Sequence, residues 1–151
     1  MISIEYDIYQ LFSSFTSKLS SYTLMNEHLP IDEKDKEDGL LDSTRWIWFD
    51  IGNPVAHITI DTWWKQDWVS LRDFEIEESY RGQGLSHEII EFAKRHGVTH
   101  LSVSPLNKWI ISLYEKHGFQ LTGTKEGDLL RMEYPVSSMY LRNRQKLESK
   151  K

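Results

Sequence analysis

The stretch "YRGQGLSHEIIEFAKRHG", Tyr80 to Gly97, constrains this chain more than any other. An arginine and two glycines one residue apart stand directly before an amphipathic run. Leu85, Ile89, Phe92 and Ala93 recur on one helical face, while Glu88, Glu91, Lys94 and Arg95 take the other. Gly97 follows in the position of a left-handed C-cap. A fixed glycine costs order, so two of them at a helix start imply a backbone that turns sharply or lets something come close.

The surrounding hydrophobic pattern gives the order of elements. Ile8, Leu11, Phe12, Phe15 and Leu19 predict a helix over Tyr6 to Leu19. The acidic run Asp32 to Asp42 reads as a connecting loop or a short exposed helix. From Arg45 the runs "RWIWFDIG" and "PVAHITIDTWW" are β-rich and are split at Gly52-Asn53-Pro54, which predicts an antiparallel hairpin. After Lys65-Gln66-Asp67, "WVSLRDFEIEE" extends it into a meander. Beyond the Leu85 helix come the strand "HLSVS", a helix "KWIISLYEKH" between an Asn107 N-cap and Gly118, and the strands "FQLTGT" and "LLRMEYPV" around Lys125-Glu126-Gly127. The expectation is one α+β domain over 1–136 and a tail over 137–151 without a clear period.

At 151 residues such a domain buries a core without staples. The absence of cysteine excludes disulfides, a thiolate nucleophile and sulfur-bound zinc, and no metal site is expected. A formal net charge of −5 argues against a nucleic-acid binder, which needs a basic face. The N-terminal "MISIEYDIYQLFSSF" lacks the basic start and continuous apolar run of a signal peptide, and no stretch has the length of a membrane span. The expectation is a soluble cytoplasmic protein with no nucleic-acid or membrane partner.

Three phosphate-binding patterns compete for the glycines. A mononucleotide P-loop ends in Gly-Lys-Ser/Thr, whereas Gly84 is followed by Leu85-Ser86. A dinucleotide fingerprint needs a third glycine where this chain has His87, and an acid at the end of the next strand, where it has Ser102 and Ser104. The remaining pattern fits: Arg81-Gly82-Gln83-Gly84-Leu85-Ser86 resembles the Arg/Gln-x-x-Gly-x-Gly/Ala pyrophosphate loop of the GNAT family, the Gcn5-related N-acyltransferases. A second signature follows, since "NKWIISLYEKHGF", Asn107 to Phe119, is similar to that family's Asn-x-x-Ala-x-x-Leu-Tyr-Glu-Lys-x-Gly-Phe segment. The two signatures and the strand order cover about Trp46 to Tyr134.

The resemblance implies a GNAT-like fold, a central mixed and mostly antiparallel twisted sheet flanked by helices, and acetyl-CoA or coenzyme A as cofactor. It implies that residues Gly82, Gln83, Gly84, Leu85, Ser86 and His87 cradle the pyrophosphate while Arg81 supports the turn. Ser86 departs from the usual small apolar residue, and Ile110 stands where the family prefers alanine. Phe74, Glu75 and Ile76 fall beside the pantetheine arm, with the Ile76 N–H toward the thioester carbonyl, where a fixed donor stabilises an oxyanion. Asn107 and Tyr114 lie two helical turns apart and so share a face. Asn107 would bond the cofactor while capping its helix, and Tyr114 is the implied general acid, a phenol protonated at neutral pH.

The base that takes the proton of the amine is less defined. A glutamate found five residues before the asparagine in the ribosomal-protein and N-terminal acetylases is Ser102 here, which separates this chain from that subgroup. Asp73, Glu75, Glu77 and His57 are the strand candidates, Glu75 taken first. Strand alternation sets Asp73, Glu75 and Glu77 opposite Phe74 and Ile76. Trp63, Trp64 and Trp68 with Asp61 and Asp67 form either an aromatic and acidic rim for a cation or a hairpin anchor or dimer contact. The expected function is N-acetyl transfer to a primary amine, on a small basic molecule or a protein, by direct attack in a ternary complex. The alternative is a non-catalytic acyl-CoA-binding or protein-interaction module, and a homodimer stays open.

Overall fold

The structure, a computed structural model, describes residues 17–135. The predicted helix from Tyr6 therefore lies outside the described residues except at its end, where Leu19 belongs to a 3-10 turn, Leu19–Ser21. The tail over 137–151 also lies outside them. The described chain forms strands β1 (Thr23–His28), β2 (Leu40–Asp50), β3 (Asn53–Trp63), β4 (Trp68–Ile76), β5 (His100–Val103), β6 (Gln120–Glu126) and β7 (Leu129–Glu133). Its helices are α1 (Glu33–Glu37), α2 (Leu85–Arg95) and α3 (Lys108–Lys116).

One sheet holds all seven strands in the order β1-β2-β3-β4-β5-β7-β6, antiparallel except between β4 and β5. Parallel neighbours need a crossover, and α2 supplies it. A second crossover through α3 carries the chain from β5 past β7 to β6. Both step the same way across the sheet, so right-handed connection sets both helices on one face. Lys94 Nζ of α2 accordingly donates to the His117 carbonyl at the end of α3, at 2.9 Å.

Leu85, Ile89, Ile90 and Ala93 of α2 and Leu113 of α3 are buried against Ile58, Ile60, Leu71, Leu101 and Met132 of the sheet. The helical pattern of the sequence is thus the core pattern. The hairpin is longer than the sequence suggests. β2 starts at Leu40 because Gly39, at φ +108°, turns the chain there, and an added Cβ would meet Lys65 at 2.8 Å. Its turn is Ile51-Gly52, with Asn53 and Pro54 already in β3. β1 was not expected from the sequence. All six of its side chains are exposed, so it is held by backbone pairing to β2 and carries no apolar alternation.

Gly118 ends α3 at φ +93°, and a Cβ there would lie 2.9 Å from the Tyr134 ring. Gly118→Ala combines left-handed strain with overpacking, so it should cost roughly 1–3 kcal/mol in urea unfolding. An unchanged midpoint would mean that Tyr134 yields freely.

Candidate active site

β4 and β5 are paired only at Ser70↔His100 and Leu71↔Leu101. Beyond Leu71 they part, and the β5-facing edge of Phe74, Glu75 and Ile76 is left without a strand partner. A bulge sets the phase of this edge. Between the pairs Thr59↔Arg72 and His57↔Glu75 the register shifts, and Asp73 sits at φ +54°. The extra residue turns Phe74 and Ile76 onto the core side with Leu71, which uninterrupted alternation would not do.

The backbone beyond the bulge follows from one hydrogen bond. Glu77 N–H donates across to the Val55 carbonyl at 2.8 Å. Successive residues face opposite sides, so the Ile76 N–H and C=O point to the open edge. Arg81 Nε donates to that Ile76 carbonyl at 2.9 Å, which folds the loop back over the strand end. Tyr80 pins the other side by donating its hydroxyl to Asp50 at 2.8 Å, and this bond is the first cause of its raised pKa.

The loop then enters α2 through Gly82 at φ +78° and Gly84 at φ +82°. Both conformations favour glycine, and nothing stands within 4 Å of a Cβ built at either position. No side chain caps the first turn of α2. The same holds for α3, where Asn107 takes the N-cap position but makes no cap hydrogen bond, contrary to the expectation that it satisfies its own helix. Two helix N-termini with unsatisfied N–H groups thus border one space.

That space is a cavity of about 600 Å³. Of the residues expected to hold the cofactor, Phe74, Glu75, Ile76, Arg81, Gly82, Gly84, Leu85, Ser86, His87 and Asn107 line it. Gln83 does not; it is exposed at the tip of the turn. Tyr114 does not line it either. It is buried at 5% exposure against Phe119, ring centroids 5.7 Å apart, because its helix presents it to the core. Burial alone pushes its pKa far above the usual phenol value. Below pH 10 the hydroxyl keeps its proton. Above about pH 10 the unfolded chain releases a proton that the folded chain retains, so this group makes stability fall as pH rises further.

Sequence reasoning missed Tyr80, Trp109 and Leu113 in the lining, whereas Ile110, read as packing near the arm, is there. It also missed a hydrogen-bonded chain. His87 Nδ1 meets His117 Nε2 at 2.8 Å, and His117 Nδ1 meets Glu91 Oε1 at 2.6 Å. The one-turn spacing of His87 and Glu91 was its only trace in the sequence.

Of the candidate bases, Asp73 is engaged by Arg72 at 2.9 Å. Glu75 is two-thirds exposed, with His57 Nε2 at 3.8 Å. Glu77 leads into the 3-10 turn Glu78–Tyr80. Of the two readings of the tryptophan turn, the cation rim does not form. Asp61 is buried, accepting from Ser43 Oγ and from Arg72 Nε, each at 2.6 Å, so its charge is already matched. His100 covers the Trp68 ring at 4.0 Å, with Arg131 also over it, while Trp64 and its neighbour Lys65 stand outside. Trp63, Trp68, Arg72, His100 and Ser102 instead line a second cavity of about 600 Å³ that reaches the last paired residues of the fork, Leu71 and Leu101. Burial, the leading cause, holds the His100 imidazole below its ordinary pKa.

The fold is shared with several solved structures. The GNAT domain of S. lividans PAT is similar at 16% identity and a TM-score of 0.52, over 70% of each chain. Escherichia coli ElaA is similar at 16% identity and TM-score 0.52, over 89% of this chain and 92% of that one. The ribosomal-protein-S18-alanine N-acetyltransferase of Escherichia coli is similar at 18% identity and TM-score 0.50, over 77% and 97%. No curated protein is significantly similar in sequence. The sequence model of the acetyltransferase (GNAT) family matches residues 6–119, most of the chain, and this protein is a member of that family.

Proposed function

We propose that the first cavity binds acetyl-CoA and that the protein transfers the acetyl group to a primary amine by direct attack in a ternary complex. One observation carries this reading. The unpaired β4 edge, the open glycine turn and the uncapped starts of α2 and α3 all border the same 600 Å³ space. The fit is chemical as well as spatial, since bare N–H groups at a helix start suit a pyrophosphate and an open strand edge suits an amide-bearing arm. When bound there, acetyl-CoA supplies an activated thioester.

The residues then divide the work. Backbone N–H groups from Gly82 to His87 hold the phosphates, and Asn107 bonds the arm. The Ile76 N–H stabilises negative charge on the carbonyl oxygen. Tyr114 Oη holds the proton needed by the departing sulfur. The amine reaches the fork from the second cavity, and Glu75 accepts its proton, directly or through water. With no cysteine in the chain, no thiol is available for a covalent acyl-enzyme.

Calorimetric titration with acetyl-CoA and CoA, followed by thiol release against a panel of amines, tests the reading. Binding with release for an amine supports it; binding without release for any small or peptide amine leaves a binding module. Glu75→Gln should slow turnover by about tenfold and flatten the acidic limb of the kcat/KM profile. That is below the usual range for a lost base, because Glu75 is two-thirds exposed and water can take the proton in its place. An unchanged profile would remove Glu75 from the mechanism.

A further inference from the structure

The chain Glu91, His117, His87 ends in the proposed cofactor cavity, and the loop backbone alone gives it no task. His117 has a side chain only 10% exposed, and both its ring nitrogens are engaged, Nδ1 by Glu91 and Nε2 by His87. Glu91 also receives Lys94 Nζ at 3.2 Å. Burial acts to raise the Glu91 pKa, but the hydrogen bonds from His117 and Lys94 outweigh it and hold the carboxylate below its ordinary value. Glu91 is therefore an acceptor, and His117 Nδ1 must donate to it. The only nitrogen of the pair left for a ligand is His87 Nε2, and His87 lines the cavity.

Proton counting fixes what that nitrogen can do. With no added proton, His117 Nε2 is bare and takes the hydrogen of His87 Nδ1, so His87 Nε2 is bare as well and repels a phosphate oxygen. With one added proton, whichever ring carries it, both arrangements place a hydrogen on His87 Nε2. We infer that the Glu91–His117–His87 chain is a proton-loaded phosphate clamp, in which binding of a pyrophosphate at the α2 N-terminus takes up one proton and converts His87 Nε2 from acceptor to donor. His87 touches the ligand; His117 and Glu91 are positioning residues. The charges around the pair act with it: Lys94 lies behind Glu91, and Arg81 and Glu75 line the same cavity. Glu88, on the same helix, is engaged by Ser17.

The inference rests on the proposed reading of the cavity, and its test separates the two. Coenzyme A carries a 3′-phosphate monoester, and such groups titrate near pH 6, so the probe is dephospho-CoA, whose pyrophosphate keeps its charge. The full chain is titrated with it by calorimetry from pH 5.5 to 8.5 in two buffers of different ionisation enthalpy. At the alkaline end of the range the wild type should take up close to one proton, and its Kd should rise by up to about tenfold per pH unit there. His87→Gln keeps a fixed donor and should bind with no proton uptake and a flat pH profile. Glu91→Gln removes the charge that favours the protonated pair and should move the alkaline loss to lower pH, which a purely structural role would not do. Binding by the wild type without proton uptake, or uptake that persists in His87→Gln, overturns the clamp while leaving the cavity reading intact. No binding of CoA or dephospho-CoA at any pH overturns both.

Discussion

Glutamate in place of Gly84 should abolish coenzyme A binding, raising Kd by at least about a hundredfold, with the fold retained. The size follows from what the turn presents. A phosphate held by N–H groups at a helix start gains several charge-assisted bonds, each worth about 1.5–3 kcal/mol, and a carboxylate there both fills the approach and repels the anion. The structural cost is separable. Gly84 sits at φ +82°, so any side chain meets left-handed strain of about 1 kcal/mol, but no atom lies within 4 Å of the new Cβ. Gly84→Ala therefore carries the strain with a far smaller block. Calorimetry should show the glutamate variant without measurable binding and the alanine variant weakened much less, while both melt within a few degrees of the wild type. Equal affinity in all three proteins would mean that the glycines only shape a turn.

How far the site could be read in advance depends on how local its causes are. The glycine turn, the buried face of α2 and the carbonyl held by Arg81 all arise within one short stretch, and that stretch told most of the story. Tertiary causes left weaker marks. The bulge at Asp73 depends on pairing with β3, and nothing in "RDFEI" distinguishes it from regular alternation. Asp61 looked like a free acid beside tryptophans until Arg72, on the neighbouring strand, was seen to neutralise it. β1 buries no side chain, so no hydrophobic period announced it. The residues that line the cavity by reaching across from α3, Trp109 and Leu113, were hidden for the same reason: their helix was legible, but not what it faces.

Tyr114→Phe should keep coenzyme A affinity and slow acetyl transfer about a hundredfold, the low end of what a lost general acid costs. Tyr114 is buried and outside the cavity lining, so the rate of this variant tests whether its hydroxyl reaches the sulfur at all. The ring packs on Phe119 and belongs to the core, and phenylalanine fills the same volume, so packing survives the change. What differs is one hydroxyl. A buried tyrosine hydroxyl normally finds a hydrogen-bond partner, because leaving it unpaired costs free energy. Here burial is the cause of the raised pKa and no side-chain hydrogen bond contributes to it, so phenylalanine removes no such bond from the described fold. Removing it should leave thermal stability unchanged or slightly higher. A retained melting temperature with a hundredfold slower rate would mark a proton donor without a structural role, whereas a retained rate would make Tyr114 a packing residue and assign the sulfur's proton to water. Its pKa also bears on the pH profile. A phenol protonated throughout the working range adds no limb below pH 10, so any acidic limb in the wild type belongs to another group, and it should survive intact in Tyr114→Phe.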